Sequence, residues 1–269
     1  MSIRNRQAEF AELSVQRLCR VCGVTRSQYY RSGGVQAEPP ELDAMRQLLM
    51  RFPTYGYRRV AAQLKLPEKR VRTIMGRYCL KPKRRRRHPR RLAVFGGGAN
   101  LVKANLPSAE GQILASDVTA VRLYGSKHAY FAAIIDLFTR EIVGYCVSDR
   151  NDTALASQAL AQAALMANLK PGWIHHSDRG AAYTSHLYLG QVSRLDGNSS
   201  FSDPGCPTQN AFIESFFNSF KREEGGLDVY TDLADATRAI DDYVSTYNTE
   251  RLHSSIGNKP PATFRQENL

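Results

Sequence analysis

Long apolar runs are missing from this chain of 269 residues. No stretch approaches the roughly 18 consecutive apolar residues that a membrane-spanning helix needs. The opening residues, MSIRNRQAEF, also lack the apolar segment of a secretory signal. The sequence therefore excludes a membrane protein and predicts a protein of the cytoplasm.

Cysteine is scarce, and its spacing does not suggest a disulfide framework. Cys19 and Cys22 form a CxxC pair, whereas Cys79, Cys146 and Cys206 are isolated. A structural zinc site usually needs a second close pair of ligands, which this chain lacks. We therefore expect Cys19 and Cys22 to be small residues of a helix.

Acidic residues are sparse in the first part of the chain, and the charge is unevenly distributed. Residues 1–110 contain 24 Lys and Arg against 7 Asp and Glu, whereas residues 111–269 contain 13 against 18. The excess of positive charge in the first part predicts binding to the phosphates of a nucleic acid. The acidic second part would repel that partner unless divalent cations neutralised it.

The first 40 residues predict a short helical segment. Residues 14–22 have helical spacing, Gly23 stops that helix, and Thr25 caps a second short helix that runs to Arg31. This is a weak helix-turn-helix pattern. Residues 32–40 follow as a linker rich in Gly and Pro.

Residues 41–80 predict a clearer module of three helices that resembles a helix-turn-helix. Val71, Ile74 and Met75 point inward from the third helix, which presents basic residues on its outer face. A small bundle with solubilising charges is the alternative. If the module binds DNA, the predicted contacts from its outer face are Arg58, Arg59, Arg70 and Arg72.

Residues 81–110 predict a basic, flexible linker. Eight of the eleven residues in KPKRRRRHPRR, 81–91, are Lys or Arg, and FGGGAN follows at 95–100. Self-repulsion and two prolines disfavour regular structure in the basic run. We expect this run to follow a DNA backbone, with contacts from Lys83, Arg84, Arg85, Arg86 and Arg87.

Residues 111–225 predict a catalytic core in which strands and helices alternate, and 226–269 predict a helix and tail that complete it. The order is three strands, a helix, a strand, a helix, a strand and a helix, which is the order of the RNase H-like α/β fold with a mixed five-stranded sheet and flanking helices. The predicted strands are 112–121, 128–138, 140–148, 172–177 and 198–201, and the predicted helices are 153–169, 185–195, 209–222 and 231–247.

Three acidic residues have surroundings that are unusual for a surface charge. Asp117 lies in the apolar strand ILASDV, Asp178 follows the strand GWIHHS, and Glu214 lies among phenylalanines near the start of a helix. Buried carboxylates are costly unless they are paired or bound to a metal. Their hard oxygen atoms suit Mg²⁺ or Mn²⁺, and two such ions could serve phosphoryl transfer.

The sequence segments around these acids resemble those of the DDE transposase and retroviral integrase superfamily. Thirty-five residues separate Asp178 from Glu214, which is the D,D(35)E spacing. The segments SDVTAV, HSDRGAAYTS, PGCPTQNAFIESFFNSFKRE and YNTERLHSSIGNKPPATF match the family in order, and YGYRRVAAQL resembles the module that precedes the core in the second-frame transposase of two-frame bacterial insertion elements. The resemblance covers about residues 14 to 266.

The resemblance implies the roles of individual residues. Asp117, Asp178 and Glu214 would be catalytic metal ligands, Lys221 would hold the DNA of the element's end, and Asn210 would lie beside the site as a further DNA contact. Gln209 departs from the family, where an aspartate is common.

It also implies a transposase that cleaves DNA and transfers a strand, near the bacterial nucleoid. Its partners would be DNA, further copies of the chain and an upstream-frame subunit. A DNA-binding regulator or partner subunit with weak catalysis is the alternative.

Other polar residues suggest structural roles. We expect Asp136 to pair near Arg140, and Glu223 and Glu224 to face solvent. His175 and His176 could support the site or lie in the core, and Arg251 and His253 could contact DNA or pack locally. Phe216, Phe217 and Phe220 are expected in the core.

Overall fold

The computed structural model describes residues 14–21, 23, 25–26, 38–82, 100–102, 107–203, 210–224 and 230–268. The chain divides into two compact units, Met1–Ala44 and Met45–Leu269. In the first unit, helix α1 spans Val15–Val21, and Gly23 adopts a left-handed φ of 65°, as expected of a helix stop. Cys19 is buried there, whereas Cys22 and most of the predicted second helix lie outside the described residues.

Three helices form the module that the sequence predicts before the core. They are α2 (Leu42–Arg51), α3 (Tyr57–Leu64) and α4 (Glu68–Arg77). Lys65 ends α3 in a left-handed conformation, and Pro67 precedes α4 with a φ of −60°. The residues predicted to point inward are buried except Leu64, which is half-buried, and the basic residues predicted on the outer face of α4 are exposed. The buried set is Val60, Ala61, Val71, Ile74 and Met75, and the exposed set is Lys69, Arg70, Arg72 and Arg77.

A mixed sheet of five strands forms the core, in the spatial order β3-β2-β1-β4-β5. Strands β1, β2 and β3 pair antiparallel, while β4 pairs parallel with β1 and β5 parallel with β4. This is the predicted RNase H-like topology. The strands are β1 (Ile113–Arg122), β2 (His128–Asp136), β3 (Ile142–Ser148), β4 (Ile174–Ser177) and β5 (Asn198–Phe201).

Helices cover both faces of this sheet. On one face lie α5 (Thr153–Met166), α6 (Ala181–Thr184) and α7 (His186–Arg194). On the other lie α8 (Ala211–Glu223) and α9 (Leu233–Thr249), and α10 (Pro261–Glu267) follows near the C-terminus. The sequence predicted all of these except α6 and α10. None of the helices in the described part of the chain is long and apolar enough to cross a membrane.

Successive side chains of β1 point to opposite faces of the sheet, and this decides which helices each side chain contacts. Ile113 and Ala115 pack into the core beneath α8 and α9, whereas Leu114 packs into the core beneath α5 and α7. Continuing this alternation puts Asp117 on the α8 face and Ser116 on the opposite face. The predicted third acid, Glu214, lies on α8.

Candidate active site

Two of the predicted acids are brought together by strand register. In the parallel pair of β1 and β4, Ala115 lies opposite His176. Asp117 and Asp178 each lie two residues beyond this pair, and the charge of Asp178 raises the pKa of Asp117, which burial raises most. Strand β4 ends at Ser177, so Asp178 begins the loop at the end of the strand.

The loop after β4 turns back on Asp178 at Gly180. The Gly180 backbone N–H donates to Asp178 Oδ1 at 2.9 Å. A Cβ on Gly180 would lie 3.0 Å from that oxygen, so a larger residue would shift the carboxylate. The φ of −61° at Gly180 is open to other residues, so this close approach is the constraint on the position.

A side-chain bond aligns α8 with the strand that carries Asp117. The Asn210 amide donates to the Ser116 carbonyl oxygen at 3.0 Å, and Asn210 is buried. Glu214 lies about one helical turn further on. Phe131 of β2 packs against three ring side chains of the helix, Phe216, Phe217 and Phe220, with centroids 5.3 to 5.9 Å apart. The prediction that these three are core residues is confirmed.

Electrostatic coupling joins side chains from three elements. Burial, followed by the negative charges of Asp178 and Glu214, raises the pKa of Asp117 to about 7, while the Val118 N–H and the charge of Lys221 oppose the rise. Burial lowers the pKa of Lys221, and Asp117 raises it. Asp117 and Glu214 are half-buried, and Asp178 is exposed. Negative charge therefore gathers here in excess of what Lys221 offsets.

The carboxylates do not form a closed ligand cage. Within the part of the chain that the structure describes, no group of three or more His, Cys, Asp or Glu side chains is arranged to hold a metal ion. Asp117 Oδ1 accepts a bond from the Val118 N–H at 2.8 Å, and Asp178 Oδ1 accepts from Gly180. The acids share one electrostatic environment, and a nearby backbone N–H holds the carboxylate of each aspartate.

His175 and His176, whose role the sequence left open, are core residues. His175 Nε2 lies 3.0 Å from Ser116 Oγ and 2.8 Å from the Tyr188 hydroxyl. His176 bridges two serine hydroxyls at 2.9 and 3.1 Å. Burial, reinforced by His176, lowers the pKa of His175 to about 3, so this imidazole is neutral at physiological pH.

Asp136 has the structural role expected of it, but with different partners. Its carboxylate accepts backbone N–H bonds from Gly111 at 2.6 Å, Phe138 at 2.7 Å and Thr139 at 2.9 Å. Arg140 instead stacks over the Phe212 ring, with its guanidinium carbon 3.8 Å from the ring centroid. The carboxylate thus closes the β2–β3 turn and does not form the expected pair with Arg140.

The expectation that Glu223 faces solvent is wrong. Its side chain is 4% exposed and forms an ion pair with Arg251 at 2.9 Å, which is itself 3% exposed. Arg251, which the sequence left between DNA contact and local packing, therefore packs locally. Sequence reasoning missed this pair because its partners lie 28 positions apart and no local period connects them. Glu224 is half-buried.

The residues predicted to touch DNA have different environments. Arg58, Arg70 and Arg72 are exposed, as a DNA contact requires. Arg59 is half-buried over the Tyr55 ring at 5.6 Å, and burial followed by the charge of Arg251 lowers its pKa. Asn210 is buried against β1, and its predicted contact with DNA stays a prediction. Outside the described residues lie Gln209, Lys83, Arg84, Arg85, Arg86 and Arg87.

Comparison with known proteins gives relatives along nearly the whole chain. Two family descriptions, both "Integrase core domain", match residues 107–207 and 196–261. The chain is 32% identical to the transposase InsF for insertion sequence IS3A of Escherichia coli K12, over 99% of this chain and 98% of that protein. It is 30% identical to the IS600 31 kDa protein of Shigella sonnei, over 93% of this chain and 98% of that protein.

Solved structures of viral integrases are more distant. The catalytic core of HTLV-2 integrase in complex with magnesium matches 59% of this chain and 98% of its own, at 16% identity and a TM-score of 0.43. A simian T-cell lymphotropic virus intasome matches 82% of this chain and 74% of its own, at 14% identity and a TM-score of 0.47.

Proposed function

The chain belongs to the insertion-element transposases with an integrase core, DDE-type polynucleotidyl transferases that act in DNA transposition, and we propose that Asp117, Asp178 and Glu214 are its catalytic carboxylates. One observation carries the proposal. A strand, the loop after the neighbouring strand and one helix each contribute a carboxylate, and the charges of Asp178 and Glu214 add to burial in raising the pKa of Asp117. Clusters of this kind mark functional sites, because a purely structural carboxylate is paired with a cation or hydrogen-bond donors.

The donor set fits a hard divalent cation, Mg²⁺ or Mn²⁺. All three proposed ligands offer carboxylate oxygen, which these ions prefer. Burial and the negative charges of Asp178 and Glu214 raise the pKa of Asp117 to about 7 against the opposing charge of Lys221, and a bound cation would favour the ionised carboxylate. Two bound ions would activate the attacking water or 3′-hydroxyl and stabilise the leaving oxygen. Asp117, Asp178 and Glu214 would hold them.

The protein's own residues would bind and orient the DNA. Lys221 lies seven residues after Glu214 on α8, about two turns on, so it faces the same side of the helix. We assign it a phosphate of the element's end. Exposed Arg58, Arg70 and Arg72 of the helical module and the basic run from Lys83 to Arg87 would neutralise further phosphates. We also propose that the protein acts near the bacterial nucleoid as a homo-oligomer on DNA. An upstream-frame subunit is a candidate partner.

A DNA-binding regulator or partner subunit with weak catalysis is the second candidate. The open arrangement of the carboxylates favours it, since no closed ligand group forms among the described residues. This second candidate does not explain, however, why three carboxylates gather at one location. The two candidates predict the same DNA binding and differ only in strand transfer.

A strand-transfer assay with DNA carrying the element's ends and Mg²⁺ tests the proposal. We expect joined product from the wild-type chain and a loss of about a thousandfold in Asp178→Asn, a size typical of removing a charge-stabilising group. Asp196→Asn is the matched control, because Asp196 is exposed and its φ of 55° suits asparagine equally.

Equal activity of wild type and Asp178→Asn would overturn the catalytic assignment. A wild-type chain that binds the ends but joins nothing would favour the regulator.

A further inference from the structure

A buried polar cluster connects the catalytic helix to the helical module that precedes the core. Glu223, the last residue of α8, is held by Arg251 through two short bonds, from Nε to Oε2 and from Nη2 to Oε1, both 2.9 Å. The Tyr243 hydroxyl donates to Glu223 Oε2 at 3.0 Å, and Arg251 Nη2 also donates to Ser219 Oγ at 3.2 Å. Hydrogen bonds thus surround both buried charges.

The turn between α2 and α3 enters this cluster with two residues. The Thr54 hydroxyl donates to Glu223 and accepts from Arg251 Nη2 at 3.3 Å. The Tyr55 hydroxyl accepts the backbone N–H of Leu252 at 2.6 Å, and its ring is fully buried against Phe52. We call Thr54, Tyr55, Glu223 and Arg251 the clamp.

Directional bonds contribute to this joint beside its apolar packing. A cavity of about 320 Å³ lies beside the clamp, and Arg51, Phe52, Glu223 and Arg251 are among its lining residues. Apolar side chains could slide across such a gap, whereas a buried ion pair with its hydrogen bonds is satisfied in only one arrangement. Buried polar pairs of this kind specify a particular arrangement in some proteins.

The two sides of the joint carry different parts of the reaction. On the module side, α3 packs against the basic helix α4 through Val60, Val71 and Ile74. On the core side, Glu223 lies on the same helix as Glu214, nine residues further on. The clamp contacts neither the carboxylates of the site nor the exposed arginines of α4.

We propose that the clamp is a positioning device that fixes the distance between the DNA-reading helix α4 and the catalytic carboxylates. Its residues set which phosphate of the bound DNA reaches the site. This inference rests on the proposed function, because it assumes that α4 binds the DNA that the core cuts. It gives Thr54, Tyr55, Glu223 and Arg251 a role in setting the cleavage position, although none of them belongs to the acid cluster.

The test uses a variant that loosens the joint while leaving the buried ion pair intact. Thr54→Val with Tyr55→Phe removes the two hydroxyls that the module contributes and preserves the side-chain shapes. Thr237→Val is the matched control, because the Thr237 hydroxyl bonds only the Leu233 carbonyl of its own helix, at 2.8 Å. Thr54→Ser keeps a hydroxyl and should behave as wild type.

Three measurements on the full chain follow: end binding by gel shift, cleavage position on end-labelled DNA, and hydrogen exchange of residues 50–64. We expect the double variant to bind ends as wild type does and to cut about tenfold to a hundredfold more slowly, as a misplacement of about 1 Å can cause. Its cuts should spread to neighbouring phosphates, and exchange of 50–64 should rise. The control should change none of these.

Cleavage at a single wild-type position and rate by the double variant would overturn the inference. Parallel loss of end binding would also overturn it, because the module would then have lost its fold and not its spacing. If the wild-type chain binds ends but never cuts, the proposed function fails. Hydrogen exchange then decides whether the clamp holds the module, and unchanged exchange in the double variant overturns it.

Discussion

The carboxylates at the two ends of helix α8 lie in opposite electrostatic environments. Near its start, Glu214 helps to raise the pKa of Asp117, which burial and Asp178 also raise, to about 7. At its end, burial alone would raise the pKa of Glu223, but hydrogen bonds and charge from Arg251 leave it below its usual value. One end accumulates unbalanced charge and the other neutralises it. The contrast separates a candidate reaction site from a structural joint on a single helix.

The largest expected effect comes from neutralising the acid at the start of the helix. Glu214→Gln should lower strand transfer by about a thousandfold, because it removes a proposed cation ligand. The free energy of unfolding of the Glu214→Gln variant should differ from that of the wild type by no more than about 0.5 kcal/mol, since the side chain is half-buried. Strand-transfer rates and urea unfolding measure the two quantities. Retained activity would remove Glu214 from the site.

Breaking the ion pair at the other end should mainly affect stability. Arg251→Met leaves the buried Glu223 charge unpaired and should lower the free energy of unfolding by roughly 3–5 kcal/mol. The double variant Glu223→Met, Arg251→Met should recover much of that loss, because it buries no charge. Urea denaturation of the single and double variants tests this. Equal stability of wild type and Arg251→Met would show that the pair is effectively solvated.

The two ends should also respond to pH with opposite signs. Asp117 has an unfolded pKa of 3.8 and a folded pKa of about 7, so the folded chain retains a proton that the unfolded chain loses between them. Its contribution to stability therefore falls as pH rises through that window. Glu223, whose folded pKa lies below 4.5, contributes stability above pH 4.5 that is lost as pH falls through its folded pKa.

Urea unfolding from about pH 2 to 8 in EDTA tests this reversal. Asp117→Asn should abolish the fall between pH 4 and 7 while leaving the acid limb that Glu223 contributes. Addition of Mg²⁺ to the wild type should flatten the same fall, because a cation favours ionised Asp117. A wild-type curve that rises steadily to pH 7 would contradict the raised pKa.

The smallest expected effect concerns the bond that aligns the start of the helix. Asn210→Ala removes the amide that donates to the Ser116 carbonyl and should cost about 1–3 kcal/mol of unfolding free energy, as for other buried groups left without a partner. Strand transfer should fall more than end binding does. Asn198→Ala is the control for a general loss of an amide, because the exposed Asn198 side chain also donates to a backbone carbonyl, that of Gly172, at 3.2 Å. Unchanged strand transfer in Asn210→Ala would show that α8 is aligned by its phenylalanines alone.

Local patterns sufficed for most of the fold and for the identity of the proposed acids. Short segments between turns predicted the five strands, helical spacing predicted α2 to α4, and the sequence around Asp117, Asp178 and Glu214 singled out those acids. The short helices α6 and α10 were missed because they are brief and have little periodicity of their own.

The sequence by itself determined which residues could take part in catalysis and on which elements they lie. This is because the periodicity of a helix or a strand appears in the spacing of residues close together in the chain. Only the tertiary structure decided which of them meet. The parallel pairing of β1 with β4 brings the loop that carries Asp178 into electrostatic contact with Asp117, and chain folding brings Arg251 to Glu223 across 28 residues. Pairing at long range depends on sheet register and helix packing, which no local period encodes. The same residue type therefore forms an acid cluster at one end of α8 and a neutral ion pair at the other.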